Sequence, residues 1–313
     1  MTRQTITFDS HGTPCDAWFY RGIDPSPYDG PAGRPVVVMA HGFAGTKDSG
    51  LEPFAERFAG TGLAVLAFDF RGFGLSGGEP RQRISLSGQL DDYRSAITAA
   101  SCQPGVDPAR VVVWGVSMSA GFAMTVAAGH DDVCAVIAAI PLVSGPAAGR
   151  LAYHEVGGAA MVSSTMTGIG SALGARIGRA PTMMPVVGRP GEHAALTADG
   201  FYESYLSIAG PSWRNEVDAA VGLELGRFRA DKYASRITAP TLVQIADFDS
   251  AAPPHSAAKA AFAAHAEVRH YPCDHFDIFA GHDWFEPAVD HQLSFLARHL
   301  SPATRQTIEK AAR

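Results

Sequence analysis

The chain has 313 residues, of which 46% are hydrophobic and 18% charged, and its formal net charge is -6. This composition is sufficient for one large core, and the lack of basic blocks argues against nucleic-acid partners. No apolar run reaches the roughly 18 residues that a membrane-spanning helix needs. The residues from Met1 to Thr5 lack the charged and apolar regions of a secretory signal. We therefore expect a cytoplasmic protein without membrane partners.

The four cysteines are scattered, without the paired spacing of a metal site. Buried free thiols in a reducing compartment are therefore expected, rather than disulfides or zinc ligands. The cysteines are Cys15, Cys102, Cys134 and Cys273.

Eight segments have strand patterns, and helical patterns alternate with most of them. The first two alternate in polarity on either side of a turn at 11–14, which predicts an antiparallel hairpin at a sheet edge. Later segments such as 36–40 and 134–140 are continuous apolar runs, typical of strands buried on both faces. The predicted strands are 5–8, 15–20, 36–40, 63–70, 111–114, 134–140, 241–246 and 267–271, and the predicted helices are 51–58, 86–100, 120–128, 257–264 and 287–300.

Strands alternating with helices predict an α/β fold, a mostly parallel eight-stranded sheet with helices on both faces. The alternation is interrupted once, over residues 145–234. Because a structureless loop of that length would be improbable, we predict an inserted helical cap over the carboxyl ends of the strands. The predicted domains are a core of residues 1–144 and 235–313 and a cap of residues 145–234. The cap could also supply the surface of a homodimer.

Methionine and aromatic residues are frequent in the predicted cap. They could line an adaptable apolar pocket, or they could form the core of the cap itself, and the two alternatives have similar composition. These residues include Met161, Met166, Met183, Met184, Tyr202, Tyr205 and Trp213.

Residues 72–77 match the glycine fingerprint of dinucleotide-binding proteins, and they follow a predicted strand. That site requires a helix to begin at once, so that its N-terminus can hold the pyrophosphate. Here Gly78-Glu79-Pro80 continues the loop instead. We therefore do not predict a nucleotide site.

The stretch Gly115-Val116-Ser117-Met118-Ser119 lies between a buried strand and a helix of small residues. It is close to the Gly-x-Ser-x-Gly turn that holds a serine hydroxyl above a sheet in a strained conformation. The positions two before and two after the serine must be small, and Gly115 and Ser119 meet that need. The motif alone also fits an ordinary turn serine.

A serine nucleophile needs a base and an orienting acid at the carboxyl ends of neighbouring strands. Asp247 and Asp249 follow the predicted strand 241–246, and His275 follows the last strand. The order Ser117, Asp, His275 is the order expected for this kind of turn.

Taken together, these motifs resemble the α/β-hydrolase superfamily over nearly the whole chain. The stretch 71–82 is similar to dienelactone-hydrolase-like and serine-aminopeptidase-like bacterial esterases. The residues that carry the resemblance are His41-Gly42-Phe43, Asp69, Arg71, Gly72, Gly74, Ser76, Gly115, Ser117, Ser119, Asp249 and His275.

The resemblance implies that Asp249 is the triad acid, with Asp247 as the alternative. It also implies an oxyanion hole made of the backbone N–H groups of Met118 and Phe43, or of Ala44 if the loop bends differently. In the same family pattern His41 orients its loop, and Asp69 and Arg71 connect loops. Substrate binding by Arg71 is the lesser alternative.

The sequence thus predicts a serine hydrolase that cleaves a carboxylic ester, lactone or thioester of a mid-sized, fairly apolar substrate through an acyl-enzyme. No cofactor or metal is expected. The alternatives are other serine-triad chemistry, namely C–C bond hydrolysis, acyl transfer or amide cleavage, and a binding module without catalysis.

Overall fold

The computed structural model describes residues 3–130 and 132–300. Its centre is one eight-stranded sheet in the order β1-β2-β4-β3-β5-β6-β9-β10, in which β2 runs antiparallel to both of its neighbours and the remaining pairs beyond β4 are parallel. The strands are β1 (Arg3–Ser10), β2 (Thr13–Tyr20), β3 (Arg34–Ala40), β4 (Ala64–Phe68), β5 (Val106–Val116), β6 (Val133–Ala139), β7 (Met183–Met184), β8 (Val217–Asp218), β9 (Thr241–Ala246) and β10 (Glu267–Tyr271).

Helices connect the parallel strands and pack on the sheet, because its central strands are apolar on both faces and must be covered on both. Strands β3 and β4 are buried along their whole length. The helices are α1 (Glu52–Gly60), α2 (Leu86–Ser101), α3 (Met118–Ala127), α4 (Gly145–Arg176), α5 (Phe201–Ile208), α6 (Val221–Leu225), α7 (Pro254–Ala263) and α8 (Phe285–Leu300).

The predicted fold class and the edge hairpin are confirmed. The predicted and observed ends of the elements differ most at β5. This strand begins at Val106, whereas the sequence predicted a start at residue 111. The additional residues include the exposed Pro108 and Ala109, and the pairing with β3 is irregular there. A segment with exposed residues and shifted pairing has no clear two-residue periodicity, so the sequence pattern could not identify it.

The 145–234 segment contains helices α4, α5 and α6, and it adds no strand to the eight-stranded sheet. Helix α4 bends at Gly157, whose φ is 78°. The segment also contains the two-stranded sheet β7-β8, which was not predicted because two-residue strands carry no periodic signal. The proposed domain boundaries remain a prediction, and their outer limits, residues 1 and 313, lie outside the described residues.

Two further expectations concern membrane-spanning helices and the cysteine thiols. Within residues 3–130 and 132–300, no helix combines the length and apolarity needed to cross a bilayer.

Cys15 and Cys273 are buried as expected, and burial raises the pKa of each thiol to about 12. Cys102 is exposed, so the expectation of burial is wrong at that position. It is the residue that follows the end of α2.

Candidate active site

Ser117 occupies the tight turn between β5 and α3. Its φ of 57° and ψ of -119° are strained for a residue with a side chain, as such turns require. Backbone hydrogen bonds hold the strained residue: its N–H donates to Ala139 O at 2.9 Å, and its carbonyl accepts from Leu142 N at 3.0 Å. The turn is therefore fixed to the end of β6.

The positions that flank Ser117 confirm the steric argument for small residues. A Cβ atom on Gly115 would lie 2.2 Å from the carbonyl oxygen of Ser119, so only glycine fits there. The Ser119 side chain is fully buried, and its Oγ accepts from Val116 N at 2.9 Å and donates to Ala40 O at 2.7 Å. Ser119 thus joins the serine turn to the end of β3.

Three polar side chains from different loops meet at Ser117. The Ser117 Oγ lies 3.0 Å from His275 Nε2, and His275 Nδ1 lies 2.7 Å from Asp249 Oδ2. All three residues are buried. The second carboxylate oxygen of Asp249 accepts the N–H groups of Ala251 and Ala252, which fixes the carboxylate toward the imidazole.

The structure does not bring Asp247 to this cluster. Its Oδ1 lies 2.6 Å from His270 Nδ1, and both side chains are exposed. Both aspartates lie after the end of β9, where the chain turns, and of the two only Asp249 reaches His275.

Asp274 is a residue of the site that sequence reasoning missed. Its Oδ1 accepts the N–H of His275 at 2.7 Å and the N–H of Ser250 at 2.9 Å, and its Oδ2 accepts the Ser250 hydroxyl at 2.6 Å. It therefore links the loop that carries Asp249 to the loop that carries His275. Its position directly before His275 was the only available signal, and the sequence could not place Ser250 beside it.

The β3 turn, residues 42–45, lies against the serine. A Cβ on Gly42 would lie 3.2 Å from Ser117 Cβ, so glycine allows this close approach. Phe43 lines the adjoining cavity, and its N–H makes no hydrogen bond within the described part of the chain. Met118 is the first residue of α3, where an N–H has no partner inside the helix. These are the two N–H groups predicted from the sequence.

His41 packs beneath the β3 turn. Its Nδ1 lies 3.0 Å from Gly42 O, and its ring meets the ring of Phe70 edge-on at 5.0 Å. Burial lowers the pKa of the imidazole below its ordinary value, so the ring is neutral at pH 7 and above. His41 is thus placed to orient the turn, as expected.

The loop that resembled a nucleotide site is held by ionic contacts within the fold. Asp69 is fully buried and accepts from Lys47 Nζ at 2.6 Å and from Leu75 N at 3.0 Å. Arg71 binds Asp92 through Nε at 2.8 Å. Helix α2 begins only at Leu86, so it does not directly follow the glycines as a dinucleotide site requires.

A cavity of about 570 Å³ opens beside Ser117 and His275 and is lined mainly by apolar side chains. The 145–234 segment contributes much of its wall, including Met161, Met184 and Tyr205. Met166 and Met183 instead face solvent, so only some of the methionines of this segment line the cavity. In the part of the chain that the structure describes, no three His, Cys, Asp or Glu side chains gather as a metal site would require.

A family model described as serine aminopeptidase, S33, matches residues 31–276. The chain belongs to this family of α/β hydrolases. The superfamily predicted from the sequence is therefore confirmed, and so is the general class, a hydrolase.

Two similar proteins and one similar structure extend this result. Quorum-quenching protein AidA of Acinetobacter baumannii (strain MDR-ZJ06) is 35% identical over 297 residues, which is 94% of each chain. Thiohydrolase aneE of Aspergillus aculeatus is 40% identical over 116 residues, 37% of this chain and 36% of aneE. The α/β hydrolase GrgF from Penicillium sp. sh18 superposes with a TM-score of 0.79 at 21% identity, over 96% of this chain and 99% of GrgF.

Proposed function

We propose that the protein is a serine hydrolase that cleaves a carboxylic ester, lactone or thioester with an apolar acyl group. The observation that carries the proposal is the buried series of contacts from Ser117 through His275 to Asp249, beside a mainly apolar cavity. A serine hydroxyl within hydrogen-bond reach of an imidazole, itself oriented by a carboxylate, is the arrangement that activates serine as a nucleophile.

In the proposed mechanism, His275 Nε2 takes the Ser117 proton as Oγ attacks the acyl carbonyl. Asp249 holds the proton on Nδ1 and stabilises the imidazolium. The developing oxyanion is bound by the N–H groups of Phe43 and Met118. His275 then protonates the leaving alkoxide or thiolate. Water activated by the same imidazole hydrolyses the acyl-enzyme and releases the carboxylic acid.

The proposed substrate class rests on the cavity. An apolar wall favours an aliphatic or aromatic acyl group over a sugar or a charged peptide, because burying a polar group without partners costs free energy. The name of the aneE relative favours including thioesters, since that protein is a thiohydrolase. The AidA relative, whose name is quorum-quenching protein, favours a small-molecule substrate.

The first test is labelling with a fluorophosphonate probe, which reacts only with an activated serine. We expect wild-type protein to be labelled, the Ser117→Ala variant to be unlabelled, and the Ser207→Ala variant to be labelled like wild type. Ser207 is an exposed serine of α5 and serves as the matched control. Absence of wild-type labelling, or equal labelling of Ser117→Ala, would refute the proposal.

The second test identifies the bond that is cleaved. Nitrophenyl esters of increasing acyl length, matched thioesters and lactones are assayed at one pH, with product acid as the readout. We expect turnover that rises with acyl length until the cavity is filled. If the labelled enzyme hydrolyses none of these compounds, C–C bond hydrolysis, amide cleavage or acyl transfer becomes the better explanation of the same serine.

A further inference from the structure

The β3 turn has a backbone that needs external support. Gly45 N donates to Gly42 O at 3.3 Å, and Ala44 has a φ of 48°. An alanine in the left-handed region costs about 1 kcal/mol relative to its preferred conformations. A short strained turn with one long internal hydrogen bond would otherwise sample several orientations of its peptide groups.

Two side chains of the 145–234 segment supply this support. The Tyr205 hydroxyl donates to Phe43 O at 2.8 Å, and Trp213 Nε1 donates to Ala44 O at 3.1 Å. The carbonyl of Gly42 is already within 3.0 Å of His41 Nδ1. Three successive carbonyls of the turn are therefore held. Because each peptide group is planar, the Gly42 carbonyl shares a plane with the Phe43 N–H, and the Phe43 and Ala44 carbonyls share planes with the N–H groups of the next residues. Tyr205 and Trp213 thus hold the two peptide groups that follow Phe43, which limits how far the Phe43 backbone can rotate.

The two aromatic residues are themselves packed against each other and against the loop of the proposed base. Their rings stack at 4.9 Å between centroids with an interplanar angle of 30°. The Tyr205 ring is buried, and its centroid lies 5.5 Å from that of the Phe276 ring. Phe276 is the residue directly after His275. The Tyr205 side chain thus contacts both the β3 turn and the loop of the proposed base.

The chain just before Trp213 also forms hydrogen bonds with Asp48 and Ser49, which follow the β3 turn. Ser212 N donates to Asp48 Oδ2 at 2.9 Å, and Gly210 N donates to Ser49 Oγ at 3.3 Å. A Cβ on Gly210 would lie 2.3 Å from the Asp48 carboxyl carbon, so the two stretches are packed as closely as glycine allows. Trp213 is therefore not free to move away from Ala44.

We propose that Tyr205 and Trp213 are positioning residues: by holding the two peptide groups that follow Phe43, they keep the β3 turn in the conformation that directs the Phe43 N–H toward the oxyanion. The inference rests on the proposed function, since it assigns a task to the proposed oxyanion donor. Burial raises the pKa of the Tyr205 hydroxyl above its ordinary value. The hydroxyl therefore stays protonated, and able to donate, throughout the neutral and mildly alkaline pH range. The wall of the cavity and the oxyanion site are then one connected structure.

The test uses Tyr205→Phe and Trp213→Phe, which remove one donor each and retain an aromatic ring. Losing an oxyanion donor outright lowers kcat by about 100- to 1000-fold, so misorienting one should lower kcat by about tenfold. A trifluoromethyl ketone of matched acyl length forms an oxyanion with Ser117, and its affinity should fall by the same factor. KM should stay within about twofold, because ground-state binding does not use the oxyanion.

Tyr202→Phe is the matched control, because Tyr202 lies on the same helix and its hydroxyl makes no hydrogen bond within the described chain. It should match wild type in kcat and in inhibitor affinity. Unchanged kcat in both test variants would overturn the inference, and so would a lower kcat with unchanged inhibitor affinity or a change in KM alone. If Tyr205→Phe fails to fold, Trp213→Phe tests the neighbouring carbonyl independently.

Fluorophosphonate labelling of wild type separates this inference from the proposed function. A labelled wild type with unaffected variants would refute only the positioning role. An unlabelled wild type would refute both, because no oxyanion would then form at Ser117.

Discussion

The Ser119 hydroxyl donates a hydrogen bond of 2.7 Å to the carbonyl oxygen of Ala40, the last residue of β3. This contact joins the turn that holds Ser117 to the strand that leads into His41 and the β3 turn. A glycine at position 119, the commonest residue of this motif, could not make it. The serine therefore has a structural function in this chain beyond being small.

We expect Ser119→Ala to lower the free energy of unfolding by about 1–3 kcal/mol, because the buried Val116 N–H and Ala40 carbonyl lose a partner. Urea unfolding followed by circular dichroism measures this change. Ser207→Ala, at an exposed position of α5, should change stability by less than about 0.5 kcal/mol. Equal stability of the two variants would show that the Ser119 contact contributes nothing net.

Asp249 and Asp247 offer a matched pair, two residues apart at the end of β9. Asp249→Asn should lower kcat on a nitrophenyl ester by about 10⁴-fold, because the amide favours the wrong imidazole tautomer. Asp247→Asn should stay within about twofold of wild type, since its partner is the exposed His270. A larger loss in Asp247→Asn than in Asp249→Asn would contradict the geometry on which the proposed mechanism rests.

Glycines on α4 test whether the cavity sets acyl length. Gly149 lines the cavity, and a Cβ there would meet no atom within 4 Å, so Gly149→Leu would project into open space. We expect kcat/KM for long acyl esters to fall about tenfold, while acetyl esters are unaffected. Gly170→Leu is the control, since Gly170 also has open space but does not line the cavity. Equal losses for short and long esters would contradict this role.

His41 predicts a pH dependence of stability. Burial lowers the pKa of its imidazole in the folded state below the ordinary value of about 6.5. Between these two pKa values the unfolded chain binds the extra proton, so stability rises with pH. The His41 contribution is therefore complete above pH 6.5 and is lost as the pH falls, at no more than about 1.4 kcal/mol per pH unit.

Urea unfolding at pH 7.5, 6.5 and 5.5 measures this slope in wild type and in His41→Gln. The variant should lose less stability than wild type between pH 6.5 and 5.5. His154→Gln removes an exposed histidine of α4 and should keep the wild-type slope. Parallel curves for wild type and His41→Gln would refute the assignment.

Local patterns in the sequence were enough for the framework of the fold. Continuous apolar runs identified the central strands, and the step from strand to small-residue helix identified the turn at Ser117. These features are legible because each depends on neighbours in the chain, on periodicity and on the steric limits of one turn. His275 was found for the same reason, since it lies in the short loop after the last strand.

The relationships across the chain were decided only by the tertiary structure. The family resemblance favoured Asp249 over Asp247, but only the structure shows that Asp249 reaches His275 whereas Asp247 contacts His270. Tyr205 and Trp213 look like ordinary core aromatics until the fold brings their donors to the carbonyls of Phe43 and Ala44, more than 150 residues away. The sequence by itself determined which groups are available and at which strand ends they lie. The packing of the 145–234 segment determined which carbonyls and N–H groups those side chains reach, because hydrogen bonds depend on distances and angles that no local pattern encodes.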